Sequence, residues 1–330
     1  MAEESEEKNN LKAKYKPKPE FVERIKKLIG EEDAEKFFSI AYTKTPISIR
    51  CNTLKISPDE LKRRLEKIGW KIHQPFKDFP EVMIIKNKLN PGELGKTKEH
   101  LLGYYYIQEI TSMLPIIALK PKAGEIFLDL CASPGSKTTQ AAAMMKNKGT
   151  IIANEISLER IKILNSNLEK CGVMNTIVVH KDGGQFCKSV LKKTNLRFDK
   201  ILVDAPCSGE GTLRKSPKTF LTWNEKFIKI LSGKQKRLVG WAVRILKCGG
   251  EMVYSTCTLS PEENEEVVDY LVKNFKVKVE KIDLPLKIRC GVTEWEGKIY
   301  DEQIKNCVRI YPQDNNTDGF FLAKLKKVGE

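Results

Sequence analysis

No run in the 330-residue chain approaches the ~18 to 20 uninterrupted apolar residues needed to cross a bilayer. The chain opens on MAEESEEKNN, acidic and polar, without the apolar core of a secretory leader. A soluble, cytoplasmic protein with no membrane partner is expected. Nine cysteines are an odd number for pairing, fall mostly in apolar segments and include no C-x-x-C step. That pattern argues against a disulfide framework and against a four-cysteine zinc site, so no metal is expected. Internal repeats and low-complexity blocks are absent. Positive charge, by contrast, is in excess: 58 Lys and Arg against 43 Asp and Glu give a net charge of +15, which asks for a polyanionic partner. With 41% hydrophobic residues the chain can bury a core, and its length accommodates roughly two domains.

The first twenty residues are charged and marked by Pro17 and Pro19, which suits a flexible arm, and a basic-apolar helix follows over Phe21 to Ile29. From Ile47 to Ile107 the pattern reads strand, helix, strand, strand: ISIRCNTL alternates, Ser57-Pro58-Asp59-Glu60 opens an amphipathic helix ending at Gly69, and WKIHQPF and VMIIK are short apolar runs. A turn at Pro91-Gly92 leads to GYYYIQ, and ITSMLPIIAL reads as a buried helix. Beyond Ala123 the rhythm becomes regular. The apolar strands IFLDL, TIIAN, TIVVH, KILVD and EMVYS alternate with helices starting near Lys137, Leu158, Phe186, Glu225 and Pro261. Such alternation predicts an α/β fold with a parallel sheet covered on both faces. KVKVEKI and GFFLAKL are candidates to close one edge.

In sheets of this kind ligands bind beyond the carboxyl ends of the strands. The first strand ends in DLCASPGSKT, where small residues and Gly135 permit a tight turn before a helix N-terminus. The spacing matches neither G-x-G-x-x-G nor a phosphate loop, which disfavours dinucleotides and ATP hydrolysis. Asp129, Glu155, Asp182 and Asp204 close four successive strands. A single strand-end acid is as often a helix cap or a solvated group. Four in register describe a pocket for a positively charged nucleoside without phosphates, which fits S-adenosylmethionine. Glu155 is placed to take ribose hydroxyls and Asp182 an adenine amine.

Cys207 follows the fourth strand and Cys257 ends the fifth, so two thiols reach neighbouring strand ends. The bland fate of a free cysteine is a small buried hydrophobe, and it is expected for Cys51, Cys171, Cys187, Cys248, Cys290 and Cys307. It is weaker for Cys207 and Cys257, since turns and a capping box, Ser260-Pro261-Glu262-Glu263, follow them. Arg214, Lys215 and Lys218 are candidates to lower the pKa of Cys207.

These residues resemble the Nop/Sun-domain RNA 5-methylcytosine methyltransferases. The resemblance rests on YYYIQEITSMLP (104–115), DLCASPGSKT (129–138), NEISLER (154–160), LVDAPCSGEGTLRK (202–215), VYSTCTLSPEENE (253–265) and VRIYPQDNNTDGFFLAKL (308–325), and covers the chain from about Ile47 onward. It implies a Rossmann-like class I S-adenosylmethionine-dependent methyltransferase fold over 108–330, a small RRM-like α/β subdomain over 46–107, and an arm with helices over 1–45. It further implies covalent catalysis, because C5 of cytosine is a weak nucleophile until a thiolate adds at C6. By the family pattern Cys257 is the nucleophile, Cys207 assists release of the enzyme, Asp204 hydrogen-bonds the base to stabilise the adduct, and Lys137 helps position the site. The cofactor contacts implied are Cys131, Ala132, Ser133, Pro134, Gly135, Ser136 and Lys137, with Glu155, Arg160, Asp182 and Asp204. Ser133 and Ser136 stand where the family often has Ala and Gly, and Gln313 where His is common. DNA enzymes of this chemistry lack the S-T-C cysteine, so the pair favours RNA.

A target base must leave its stack for a thiol to reach it, and the compact two-part form looks most like the tRNA enzymes, with rRNA as the alternative substrate. A non-catalytic RNA-binding or ribosome-assembly protein is the rival of another class; the retained cysteine pair speaks against it. A methyltransferase acting on protein or a small molecule leaves the charge and the cysteines unexplained. Phosphate contacts are expected from lysines and arginines such as Lys192, Lys193, Arg214, Lys215, Lys234 and Arg237. Of Tyr104, Tyr105 and Tyr106, at least two are expected to be buried rather than stacked on RNA. The acidic run Glu262 to Glu266 fits a helix N-terminus.

Overall fold

The computed structural model describes residues 10–329. Helix α1 (Pro19–Ile29) has proline in its first turn, where a missing N–H costs nothing. Gly30, at φ 84°, ends it and starts α2 (Glu31–Ala41). Their shared stripe, Phe21, Ile25, Ala34 and Phe37, packs against Leu213, Phe220 and Trp223 of the catalytic half. Residues 10–18 depart from the expected flexible arm: 10–14 form a helical turn whose Leu11 and Tyr15, four apart, join the same cluster. Tyr42 donates to the Tyr15 carbonyl at 2.9 Å and Lys18 to that of Trp223 at 2.7 Å. The remainder of that arm, 1–9, lies outside the described residues.

A four-stranded antiparallel sheet follows, in the order β2-β3-β1-β4, from β1 (Ile47–Cys51), β2 (Ile72–His73), β3 (Val82–Ile85) and β4 (Tyr105–Ile107). Helix α3 (Pro58–Lys67) covers it and is capped by Ser57, which accepts from the Glu60 N–H at 3.3 Å. Two short helical turns, Glu93–Lys96 and Lys98–Leu101, interrupt the segment read as turn and loop. This sheet is tied to the rest of the chain by Arg50. Its buried guanidinium donates to Gln108, to the Ser136 carbonyl at 2.7 Å and to Thr139 Oγ1 at 2.8 Å.

The second sheet has nine strands among the described residues. Five are parallel, in the order β7-β6-β5-β8-β9: β5 (Ile126–Asp129), β6 (Thr150–Glu155), β7 (Thr176–His180), β8 (Phe198–Asp204) and β9 (Leu246–Thr256). The order reverses at β5, which pairs with β6 on one side and β8 on the other, leaving a crevice at the carboxyl ends. β15 (Phe320–Lys327) runs antiparallel beside β9 and carries β10 (Val277–Glu280) and β14 (Val308–Ile310), with β11 (Arg289–Cys290) beyond; β12 (Glu294–Trp295) and β13 (Lys298–Ile299) form a separate hairpin. The edge is therefore wider than the two strands expected.

Alternation along the strands decides what covers each face. Phe127, Ile151, Leu202 and Val253 point toward α4 (Ile110–Leu119) and α5 (Ser136–Met144), while Ala153 meets α6 (Leu158–Cys171). Leu128, Ile152, Ile201, Val203 and Tyr254 point the other way, against α7 (Gly183–Lys193), α8 (Glu225–Ile245) and α9 (Glu265–Asn274). Two layers of helices thus fix the strand ends, and this is the doubly wound architecture, with an added N-terminal α/β unit, that the family resemblance implied.

Candidate active site

Three of the four strand-end acids face the crevice, Glu155 and Asp182 in one group and Asp204 in another, while Asp129 is buried behind them. Cys131, Glu155, Arg160 and Asp182 line one cleft of about 360 Å³, within the usual range for small-molecule sites. Glu155 is 2% exposed; its Oε1 accepts from the N–H groups of Ile156 at 2.9 Å and Ser157 at 3.0 Å, and Arg160 lies 3.4 Å from Oε2. The carboxylate is thus oriented by its own turn. Asp182, two residues beyond β7, also caps α7 by accepting from Gln185 N–H at 2.9 Å. The opposite wall was not foreseen: α8 contributes Leu231, Lys234, Gln235, Arg237 and Leu238. Asn154 lines the cleft with its Oδ1 buried and unpartnered.

The loop after β5 is held from outside. Ser133 Oγ donates to the Arg160 carbonyl at 2.9 Å and Arg160 Nη2 returns to the Ser133 carbonyl at 2.6 Å. The Pro134 carbonyl accepts from Asn167 at 2.8 Å, and the Ser133–Pro134 bond is cis. Gly135 sits at φ 100°, a conformation that favours glycine, and a Cβ there would lie 2.9 Å from Leu164 Cδ1 and push that side chain aside. Ala132 is buried and donates its N–H to the Asn154 carbonyl at 2.9 Å; the Ser136 carbonyl receives Arg50. Asp129 is buried behind the loop, accepts from Thr138 at 2.7 Å, and is pushed up to about 6 by burial.

The second group centres on the cysteines. Cys207 Sγ and Cys257 Sγ are 3.2 Å apart, carried by the ends of β8 and β9. Beside them Asp204 forms an ion pair with Lys137 at 2.7 Å and accepts from Ser255 Oγ at 2.7 Å; Lys137 also donates to Ser112 Oγ at 3.0 Å. Two thiols this close do not both ionise. Contact with Cys257, burial and the charge of Glu263 push the Cys207 thiol well up, so Cys207 keeps its proton.

That direction corrects the expectation that neighbouring cations lower Cys207. Arg214 is buried elsewhere, donating to the Lys44 carbonyl at 2.5 Å and to Asn316 at 2.8 Å, and Lys215 pairs with Asp318 at 2.6 Å. Arg214 is therefore no phosphate contact either. Nor do Ser260-Pro261-Glu262-Glu263 cap a helix: α9 starts only at Glu265. Ser260 Oγ donates instead to Glu210 at 2.8 Å, and Glu263 Oε2 accepts from the Ser208 N–H at 3.1 Å and Gln235 Nε2 at 2.8 Å.

The acidic run is thus internal. Glu262 pairs with Arg24 of α1, and Glu265 with buried Arg309 at 2.5 Å. Glu210, 1% exposed, accepts from Trp223 Nε1, Thr258 Oγ1, the Leu259 N–H and Ser260 Oγ at 2.7–3.1 Å. It ties the loop after Cys207 to the loop after Cys257, and the Gly211 N–H adds a bond to the Cys257 carbonyl at 2.8 Å. Among the other cysteines, Cys51, Cys171, Cys187 and Cys307 are buried, but Cys248 and Cys290 are exposed because they lie at the outer end of β9 and on the edge strand β11. Tyr105 and Tyr106 are buried.

Comparison with known proteins places this geometry. Residues 116–326 match the family model described as 16S rRNA methyltransferase RsmB/F, and residues 18–110 match the N-terminal domain of 16S rRNA methyltransferase RsmF. The tRNA (cytosine(49)-C(5))-methyltransferase of Pyrococcus abyssi is 43% identical over 93% of this chain and 95% of its own length. Ribosomal RNA small subunit methyltransferase F of Aliivibrio salmonicida is 43% identical over 87% of this chain, which spans only 59% of that relative. Among solved structures, a methyltransferase homologue from Pyrococcus horikoshii has a TM-score of 0.84 at 36% identity, covering 96% of this chain and 98% of its own. NSun6 from Pyrococcus horikoshii, solved with SFG, has a TM-score of 0.80 at 26% identity, covering 95% and 99%. The chain belongs to the RsmB/F (Sun-domain) family of S-adenosylmethionine-dependent RNA (cytosine-5)-methyltransferases.

Proposed function

We propose that this protein methylates C5 of a cytosine in tRNA through a covalent adduct between Cys257 and C6 of the base. The observation that carries the mechanism is the 3.2 Å approach of Cys207 and Cys257 beside the Asp204–Lys137 pair. The near end-to-end match to a tRNA enzyme, against partial coverage of the longer rRNA enzymes, supports tRNA.

The cleft fits the cofactor. It offers an oriented carboxylate at Glu155, a second at Asp182 and an unpartnered acceptor at Asn154, a set of acceptors suited to a cationic nucleoside. When bound there, S-adenosylmethionine supplies an electrophilic methyl group. Glu155 accepts ribose hydroxyls, Asp182 and Arg160 border the adenosine, and Cys131 faces the cleft from a loop whose remaining residues, 132–137, support it from behind. Cys257, as the thiolate, adds to C6 and makes C5 enamine-like. Asp204, held by Lys137 and Ser255, hydrogen-bonds the polar edge of the base and stabilises the adduct. Once C5 carries the methyl group, a solvent base takes the C5 proton as the C6–S bond breaks and its electron pair leaves on the Cys257 sulfur, restoring aromaticity; Cys207, kept protonated 3.2 Å away, donates a hydrogen bond to that departing thiolate.

The N-terminal α/β unit and exposed cations such as Lys192 and Lys193 hold the RNA backbone, in a cytoplasmic enzyme of tRNA processing; Lys234 and Arg237, expected among those contacts, lie on the cofactor cleft instead. The same reaction on rRNA is the second reading, favoured by the bacterial relatives named for it. Incubation of the purified protein with labelled S-adenosylmethionine and separate pools of tRNA and small-subunit rRNA, followed by bisulfite sequencing, tests the choice. Label confined to tRNA cytosines is expected; label confined to rRNA replaces the first reading by the second.

A further inference from the structure

Gln235 is buried to 1% exposure on α8, yet it lines the cofactor cleft. Its amide nitrogen donates to the Pro206 carbonyl at 2.9 Å and to Glu263 Oε2 at 2.8 Å. Those two acceptors settle which end of the amide is nitrogen. Its Oε1 is left buried and without a partner. On the other side of Cys207, the Ser208 N–H donates to the same Glu263 oxygen at 3.1 Å. The backbone is therefore gripped on both flanks of the cysteine, at Pro206 by Gln235 and at Ser208 by Glu263. Glu263 is itself fully buried, and Tyr254 donates to its backbone carbonyl at 2.5 Å.

A buried acceptor without a protein donor is costly to maintain, and on a residue that lines the cleft a ligand hydroxyl or amine can supply that donor. We infer that Gln235 is a cofactor-binding and positioning residue: its Oε1 accepts a hydrogen bond from S-adenosylmethionine, while its amide nitrogen, with Glu263, sets Cys207, so that occupancy of the cleft is transmitted to that thiol. The side chain is a lever two bonds long between ligand and loop. A ligand that draws Oε1 toward itself reorients the amide and changes its hold on Pro206.

The inference rests on the cofactor and Cys207 roles proposed above, and its test needs neither RNA nor turnover. S-adenosylhomocysteine binding is measured by calorimetry on the wild type, Gln235→Leu and Glu263→Gln. Iodoacetamide labelling of each cysteine is followed by peptide mass mapping with and without S-adenosylhomocysteine, with exposed Cys248 and Cys290 as internal references. In the wild type, ligand is expected to change the Cys207 rate by at least about fivefold relative to those references. Gln235→Leu is expected to weaken binding by about five- to tenfold or more, the effect of one lost buried hydrogen bond, and to abolish the change at Cys207. Glu263→Gln keeps an acceptor for Ser208 and is expected to retain the response. Wild-type binding without any response at Cys207 overturns the coupling, whatever the variants do; an intact response in folded Gln235→Leu overturns the role of Gln235. Failure of the wild type to bind S-adenosylhomocysteine overturns the cofactor reading itself and is thereby distinguished.

Discussion

The cofactor cleft and the cysteine rim sit on the same row of strand ends but are built differently. In the cleft, Glu155 and Asp182 are placed by the strands that precede them and oriented by their own turns, Glu155 by the N–H groups of residues 156 and 157. At the rim, the cysteine positions depend on carboxylates that bridge two loops some 50 residues apart in sequence: Glu210, on the Cys207 loop, binds the Cys257 loop, and Glu263, beyond Cys257, holds Ser208. Local construction makes the cleft tolerant of changes at the rim, whereas the rim depends on a buried network reaching back to α1 through Glu262 and Arg24. Apart from the Gln235 link between them, the two halves should therefore fail separately.

The largest effect expected is from Cys257→Ala, which removes the thiolate and should lower methyl transfer to RNA by at least ~10³-fold in a labelled-methyl assay, while calorimetric binding of S-adenosylhomocysteine stays as in the wild type. Glu155→Ala should do the reverse. Losing a buried, oriented carboxylate should weaken cofactor binding by about 10- to 100-fold, and saturating cofactor should recover much of the rate.

Glu210→Ala strips four donors of their acceptor and should destabilise the fold by at least ~2 kcal/mol in chemical denaturation. Methyl transfer should fall beyond what the melted fraction accounts for, because the loops of Cys207 and Cys257 are no longer tied. Glu210→Gln, which still accepts, should lie between the two.

Much of the cleft was legible in the chain, because an acid at the end of an apolar run is a local signal: Asp129, Glu155 and Asp204 end their strands as read, and Asp182 follows β7 by two residues. The two thiols were legible only in combination, as neighbours on a predicted rim. The network behind them was not. Glu262, Glu263 and Glu265 read as a helix N-terminus, and nothing nearby in sequence reveals that Glu262 meets Arg24, 238 positions away, or that Glu263 takes a backbone N–H 55 positions away. Gln235 is one polar residue among many on an amphipathic helix; only the turn of α8 against Pro206 makes it internal. The buried Arg214 read as a phosphate contact for the same reason, since a clamp on carbonyls 170 residues distant has no signature in its neighbourhood.

The smallest effect expected is on pH dependence. Burial raises Glu263 from an ordinary value of 4.5 to about 7, so the folded state holds a proton there that the unfolded chain has released. The stability this confers is complete below about pH 4.5 and is lost as pH rises through 7. Between pH 5 and 8 the wild-type melting temperature should therefore fall by a few degrees relative to Glu263→Gln, which has no such proton; parallel curves contradict the assignment.

The central claim is that Cys257 makes the bond to the base and Cys207 helps break it. Cys207→Ala, incubated with S-adenosylmethionine and tRNA and resolved on a denaturing gel, tests it directly. A protein–RNA adduct that survives denaturant is expected, and it should disappear in the Cys207→Ala, Cys257→Ala double variant. An adduct that persists in the double variant, or full turnover by Cys207→Ala with no adduct, contradicts it.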